Sequence, residues 1–97
     1  LPKAYWIAHV SVSDFDAYAR YAASATAAFE SFGGRVLARG GRTLALEGEA
    51  AERNVVIEFQ SLSAAQSCYN SPAYQAARVH RFGAARIQLM LVEGPSE

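Results

Sequence analysis

Phe15, Tyr18, Ala22, Ala25, Phe29 and Phe32 recur at spacings of 3, 4, 3, 4 and 3, and the run stops at Gly33-Gly34. That is the period of an α-helix carrying one apolar stripe, sustained for about five turns. Ser13 offers an N-cap, and Asp14 and Asp16 fall in the first turn, where carboxylates favour the helix dipole. Gly33 stands where a left-handed C-terminal cap wants glycine. Alanines fill most of the remaining positions, so the helix is slim and suited to lying close on a sheet.

The flanks supply that sheet. Tyr5 to Val12 is rich in aromatic and β-branched residues and reads as a strand. Its set Trp6, Ala8, Val10 and Val12 is wholly apolar, whereas Tyr5, Ile7, His9 and Ser11 are mixed. After the helix, Arg35 to Arg39 reads as a second strand, with Val36 and Ala38 on one face and Leu37 and Arg39 on the other. Gly40-Gly41 turns the chain, and Thr43 to Gly48 is expected as a short strand or strand extension. Asn54 to Phe59 is a third main strand, with Val55, Ile57 and Phe59 on its dry face and Val56, Glu58 and Gln60 on its mixed one. Ser61 or Ser63 caps a further helix to about Asn70, and Ser63 with Gln66 has capping-box spacing. Ser71-Pro72 breaks that helix and restarts it, with serine as cap and proline at the first helical position, as far as about Phe82. Arg86 to Glu93 is the last strand, with Ile87, Leu89 and Leu91 opposed to Gln88, Met90 and Val92.

Strand, helix, strand, strand, helix, strand is the split βαβ order of an α+β, ferredoxin-like βαββαβ sandwich. The expectation is a single domain, residues 1–97, with helices on one face of a four-stranded antiparallel sheet. Its other face would carry Tyr5, Ile7, Leu37, Val56, Met90 and Val92 beside His9, Arg39, Glu58 and Gln88. A face so apolar is better covered than wet, and a second copy packed sheet to sheet would cover it, so a homodimer is expected.

The same stretches carry a resemblance. Tyr5 to Val10, the run Gly33-Gly34-Arg35 to Arg39-Gly40-Gly41, Val55 to Phe59, and Tyr69-Asn70-Ser71-Pro72-Ala73-Tyr74 resemble the domain of unknown function family 1330 (DUF1330) of the dimeric α/β-barrel superfamily. The resemblance spans nearly the whole chain. It implies a two-fold dimer whose sheets close into a barrel, and it implies no activity and no catalytic residues.

Charge and composition remove several function classes. Nine basic residues cancel nine acidic ones, so no basic face is expected for nucleic acid and no electrostatic reason for a membrane surface. Val55 to Phe59 also lacks the stacking aromatics of an RNA-recognition sheet. The single cysteine, Cys68, excludes an internal disulfide or a cysteine-rich zinc site and reads as a small helix residue rather than a catalytic thiol. His9 and His80 lack metal-ligand spacing, so no metal is expected. The superfamily this chain resembles includes haem-degrading monooxygenases and haem peroxidases, but haem is not expected: His80 is only loosely placed as an axial ligand, and the first strand lacks the asparagine that such a resemblance would call for. Gly40-Gly41 joins strand to strand and offers a phosphate no helix N-terminus. No cofactor is expected. No apolar run approaches the ~20 residues of a membrane span, and the cytoplasm is the default compartment, with a removed leader left open by a chain that starts at Leu1.

The candidate constellation is His9, Arg39 and Glu58, which alternation places together on the mixed face. Arg39 would clamp the anionic end of a small carboxylate or carbonyl compound, with His9 or Glu58 as proton shuttle. The competing structural reading is a buried Arg–Glu pair with His9 satisfied beside it. Asn70 and Tyr74, at the Pro72 break, could gate a pocket mouth, or else terminate one helix and cover a sheet edge. Two functions are carried forward: a ligand-binding homodimer without turnover or, implied only by the resemblance to the dimeric α/β-barrel superfamily, a cofactor-independent isomerase or monooxygenase-like enzyme.

Overall fold

The computed structural model describes residues 2–96. The elements are β1 (Ala4–Val12), α1 (Phe15–Ser31), β2 (Arg35–Arg39), β3 (Arg53–Phe59), α2 (Leu62–Asn70), α3 (Pro72–Val79) and β4 (Ala85–Glu93). All strand pairs are antiparallel and the order across the sheet is β2-β3-β1-β4. This is the expected α+β arrangement, with the second helix broken in two by Ser71-Pro72. Two layers account for a thickness of only 16 Å: the helices cover one face of the sheet and leave the other bare.

The core lies between them. Trp6, Ala8 and Val10 of β1 and Val55, Ile57 and Phe59 of β3 point at the helices. Trp6 is 1% exposed and meets Phe29 and Tyr74 edge-on, each with ring centroids 4.9 Å away, a favourable aromatic geometry. The helix stripe is rotated from the expected one. Ala17, Tyr18, Tyr21, Ala25, Ala28 and Phe29 are buried, while Phe15, the first helical residue, is 71% exposed. Two offset rows, 17-21-28 and 18-25-29, share the contact, because a helix lying flat on a sheet buries a stripe wider than one row.

Caps follow local chemistry. Asp14, not Ser13, is the α1 cap and accepts from the Ala17 amide at 3.1 Å, whereas the Ser13 hydroxyl donates to Ala84 O at 3.0 Å. Ser61 caps α2 and Ser71 caps α3, each accepting from an amide three residues on at 3.1 Å. Gly33 ends α1 with φ +75°. At Gly34 the backbone needs the missing side chain, since a Cβ would lie 2.9 Å from Phe29 O and 3.0 Å from the Phe59 ring.

Two strand expectations are corrected. Thr43 to Gly48 forms no strand but belongs to an irregular arm over residues 40–52, with Leu44 and Leu46 82% and 84% exposed. The β2 strand is not regular either. Val36 pairs with Ile57, Ala38 with Val56 and Arg39 with Val55, so Leu37 is an extra residue in a bulge. Beyond it the alternation is reversed.

Candidate functional site

That reversal dismantles the expected constellation. Arg39 stands opposite Val55, a residue of the helix-facing set, and its Nη1 donates to Thr26 Oγ1 of α1 at 3.3 Å. It lies across the sheet from His9. Glu58 does share the open face with His9, but His9 pairs with Asn54 and Glu58 with Tyr5. Four residues of strand, about 14 Å, separate the two rows. The partner of Glu58 is Lys3, with Nζ 3.4 Å from Oε1, and no Arg39–Glu58 pair forms. Tyr74 is fully buried in the core and gates nothing at the surface. Asn70 is exposed at the end of α2, beside a shallow depression bounded by Gln66, Tyr69 and Met90.

What the structure assembles instead is a row across three strands, Asn54–His9–Gln88, from the β3–β1 and β1–β4 registers. Ser11 and Arg86 form the next row toward the end of the sheet. The 40–52 arm curls beside them, so that Thr43, Glu49, Ala50 and Ala51 wall an open cleft of about 850 Å³ with His9, Asn54, Arg86 and Gln88 on its floor. Backbone alternation aims these side chains away from the helices. The arm is tied down from both sides: Glu52 Oε1 accepts from the Val12 amide at 2.7 Å, and Asn54 Nδ2 donates to Ala51 O at 3.0 Å and to Thr43 Oγ1 at 3.3 Å.

Those two bonds determine the state of His9. With both amide hydrogens of Asn54 committed to the arm, its Oδ1 faces His9 Nδ1 at 2.6 Å. An oxygen there accepts, so Nδ1–H donates and the free lone pair of a neutral ring is on Nε2. Asn54 thereby fixes both tautomer and ring orientation. Arg86 brings a guanidinium and Glu49 a carboxylate to the same cleft. The arrangement can accept a proton or hydrogen bond at Nε2, hold an anion at Arg86 and offer an amide at Gln88. Among the described residues no three histidine, cysteine or acidic side chains gather as metal ligands would, and no helix is long and apolar enough to cross a membrane.

The sequence reading named His9 but not Asn54 or Arg86 as its companions. Both carried a signal, since alternation from Val56 puts Asn54 on the open face and alternation from Gln88 puts Arg86 there. The pairing register that brings Asn54 to His9 was the missing information. Cys68 is fully buried, with Sγ 3.7 Å from Ala28 O, and burial pushes its thiol up to about 11, away from nucleophilic use.

Comparison with known proteins gives the fold the same reading. A protein of unknown function from Rhodopseudomonas palustris matches with a TM-score of 0.79 at 23% identity, over 99% of this chain and 85% of that one. A dimeric protein of unknown function with a ferredoxin-like fold from Bacteroides fragilis matches at 0.65 and 13% identity, over 94% and 95%. SnoaB, a cofactor-independent oxygenase from Streptomyces nogalater, matches at 0.67 and 13% identity, over 100% and 97%. At these identities the likeness shows a shared ferredoxin-like fold. No curated protein matches the chain. The sequence model of the family described as a domain of unknown function, DUF1330, matches residues 3–95, and the chain belongs to that family.

Proposed function

We propose that the protein is a homodimer that binds a small organic carboxylate or carbonyl compound in the cleft over His9, with no cofactor. The observation that carries this reading is the 2.6 Å His9–Asn54 bond on the cleft floor. His9 is half-buried on the cleft floor, and its partner Asn54 is itself held by two further bonds. Locking one ring nitrogen as donor presents the other as a directed acceptor, and Arg86 beside it suits a carboxylate. Arg86 takes the role first given to Arg39.

Self-association is supported by the bare sheet face. Met90 and Val92 are 52% and 41% exposed there, beside Tyr5, Ile7 and Val56. Four strands about 4.8 Å apart and up to nine residues long make a face of roughly 500 Å² in projection. A stable dimer buries about 800 Å² per partner. The arm, with its exposed Leu44 and Leu46, supplies the kind of surface that would close the difference. The Bacteroides fragilis relative and one from Jannaschia are both dimeric.

The test is a thermal-shift and NMR titration with a panel of small carboxylates and their neutral analogues. The expected result is saturable binding that moves the His9 ring signals and weakens roughly tenfold in Arg86→Gln. Binding unaffected by both His9→Ala and Arg86→Gln would remove the reading. The second reading, a cofactor-independent isomerase or oxygenase, is favoured by the free Nε2, a base positioned to take a proton from carbon next to a carbonyl. Exchange of that proton with deuterated solvent, lost in His9→Ala, separates turnover from binding alone.

A further inference from the structure

The helix side of the sheet carries a second feature that the cleft does not use. Arg39 of β2 and Arg53 of β3 both lie along the seam between the sheet and α1, where they bound a cavity of about 30 Å³. Neither has a carboxylate within ion-pair distance, since the ion pair among the described residues is Lys3–Glu58. Arg53 stacks over the Tyr18 ring, Cζ 5.3 Å from its centroid, and its Nε is shut off from water with no hydrogen-bond partner. The Arg39 Nη1 bond to Thr26 Oγ1 is long, at 3.3 Å, and it is the one side-chain hydrogen bond Arg39 makes among the described residues. The seam behind the two guanidinia is apolar, with Trp6, Ala8 and Phe29 on the wall and Ala22 and Ala25 on the helix.

Two like charges at the rim of an apolar slot, one of them with a stranded donor, are unfavourable in isolation. A carboxylate between them offsets the repulsion, because guanidinia match carboxylate geometry with paired N–H donors. Gly40 holds the position open: a Cβ there would come within 2.5 Å of Arg53 Nη1. The cavity has room for about one water-sized group, so only the tip of an apolar chain enters and its carboxylate stays at the rim. We infer that the α1–sheet seam is a binding site for a short-chain carboxylate, held by Arg39 and Arg53 with its alkyl end toward Ala22 and Ala25. The site is independent of the cleft on the opposite face.

The experiment is a ¹H–¹⁵N NMR titration of the whole chain with sodium butyrate, and with butyramide as its neutral isostere. Butyrate is expected to move the Tyr18, Thr26 and Arg53 amides saturably. Arg39→Gln should weaken that response roughly tenfold, Ala22→Leu should narrow the slot and weaken butyrate more than acetate, and His9→Ala should leave it unchanged. Arg39 is the substitution of choice because it is exposed, whereas Arg53→Gln also removes the Tyr18 stack. Equal response to butyramide, shifts confined to residues around His9, or indifference to Arg39→Gln would each overturn the assignment. The last two outcomes leave the cleft reading standing, so the sites are judged separately.

Discussion

Beneath α1 the core contains a polar chain whose removal should show an asymmetry that burial alone does not give. Tyr21 Oη and Tyr74 Oη lie 2.8 Å apart, and Arg81 Nη2 donates to Tyr74 Oη at 3.4 Å. All three are buried, Arg81 to 6% exposure, with its Nε already lacking a partner and its guanidinium 5.2 Å from the Tyr21 ring centroid. Tyr74 is therefore the middle member. Tyr74→Phe takes the 2.8 Å partner from the Tyr21 hydroxyl, leaving it only the weaker approach of Arg81, and removes a contact from a buried cation. A buried donor left unmade costs about 1–3 kcal/mol and a weakened charged contact adds to it, so the loss should be about 2–4 kcal/mol. Tyr21→Phe leaves Tyr74 still occupied by Arg81 and should cost about 1 kcal/mol. The double variant has no stranded hydroxyl, so it should lose less than the sum of the two, by about 1 kcal/mol. Urea unfolding at pH 7 and fixed protein concentration measures all four corners, fixed because the proposed self-association makes stability depend on concentration. A Tyr21→Phe loss equal to or larger than that of Tyr74→Phe, or strict additivity, would show that the rings rather than the hydroxyl chain hold this region.

The same chain sets an alkaline limit. Burial first, then Tyr74 beside it, pushes the Tyr21 phenol above its ordinary range near 10. The raised value stabilises the fold fully below pH ~10 and is lost as pH rises beyond it, by about 1.4 kcal/mol per unit, a slope that should be shallower in Tyr21→Phe. Cys68, pushed up to about 11 by burial, should react with a thiol reagent at pH 8 only as fast as the chain unfolds; an immediate stoichiometric reaction would contradict its placement. Gly33→Ala meets no atom within 4 Å and costs only its positive φ, about 1 kcal/mol. Gly34→Ala must move helix backbone or Phe59 and should cost about 2–3 kcal/mol in the same assay. Met90→Lys places a charge midway along the edge strand β4 on the bare sheet face, and light scattering should then report a monomer at micromolar concentration; an undisturbed dimer would put the interface elsewhere.

The fold was legible because its signals are local and redundant. The α1 period, the Gly33 stop, the Ser71-Pro72 break and the dry faces of β1, β3 and β4 each say the same thing within a few residues. The site was less so. His9 is visible as a polar residue in an apolar strand, but its importance rests on Asn54, 45 residues away and brought alongside by strand register. Arg39 was misplaced because alternation assumes a regular ladder, and a bulge leaves no mark in a run such as Val36-Leu37-Ala38. The Pro72 break suggests Tyr74 as a gate or a cover for the sheet edge, but Asn70 and Pro72 are exposed while Tyr74, half a turn further on, points into the core.

The bulge at Leu37 also affects how this chain should be compared with its relatives. Had β2 run regularly from Val36, Leu37 would face Val56, Ala38 would face Val55, and Arg39 would arrive beside Asn54 and the cleft. The edge strand thus keeps part of its instructions in its phase rather than in its letters. Two relatives with the same arginine in the same aligned column can deliver its charge to opposite chambers, and a relative one residue shorter here can deliver it to the same one. On the proposed reading, a change of ligand preference can then arise from a single-residue insertion or deletion along β2, with every side chain kept.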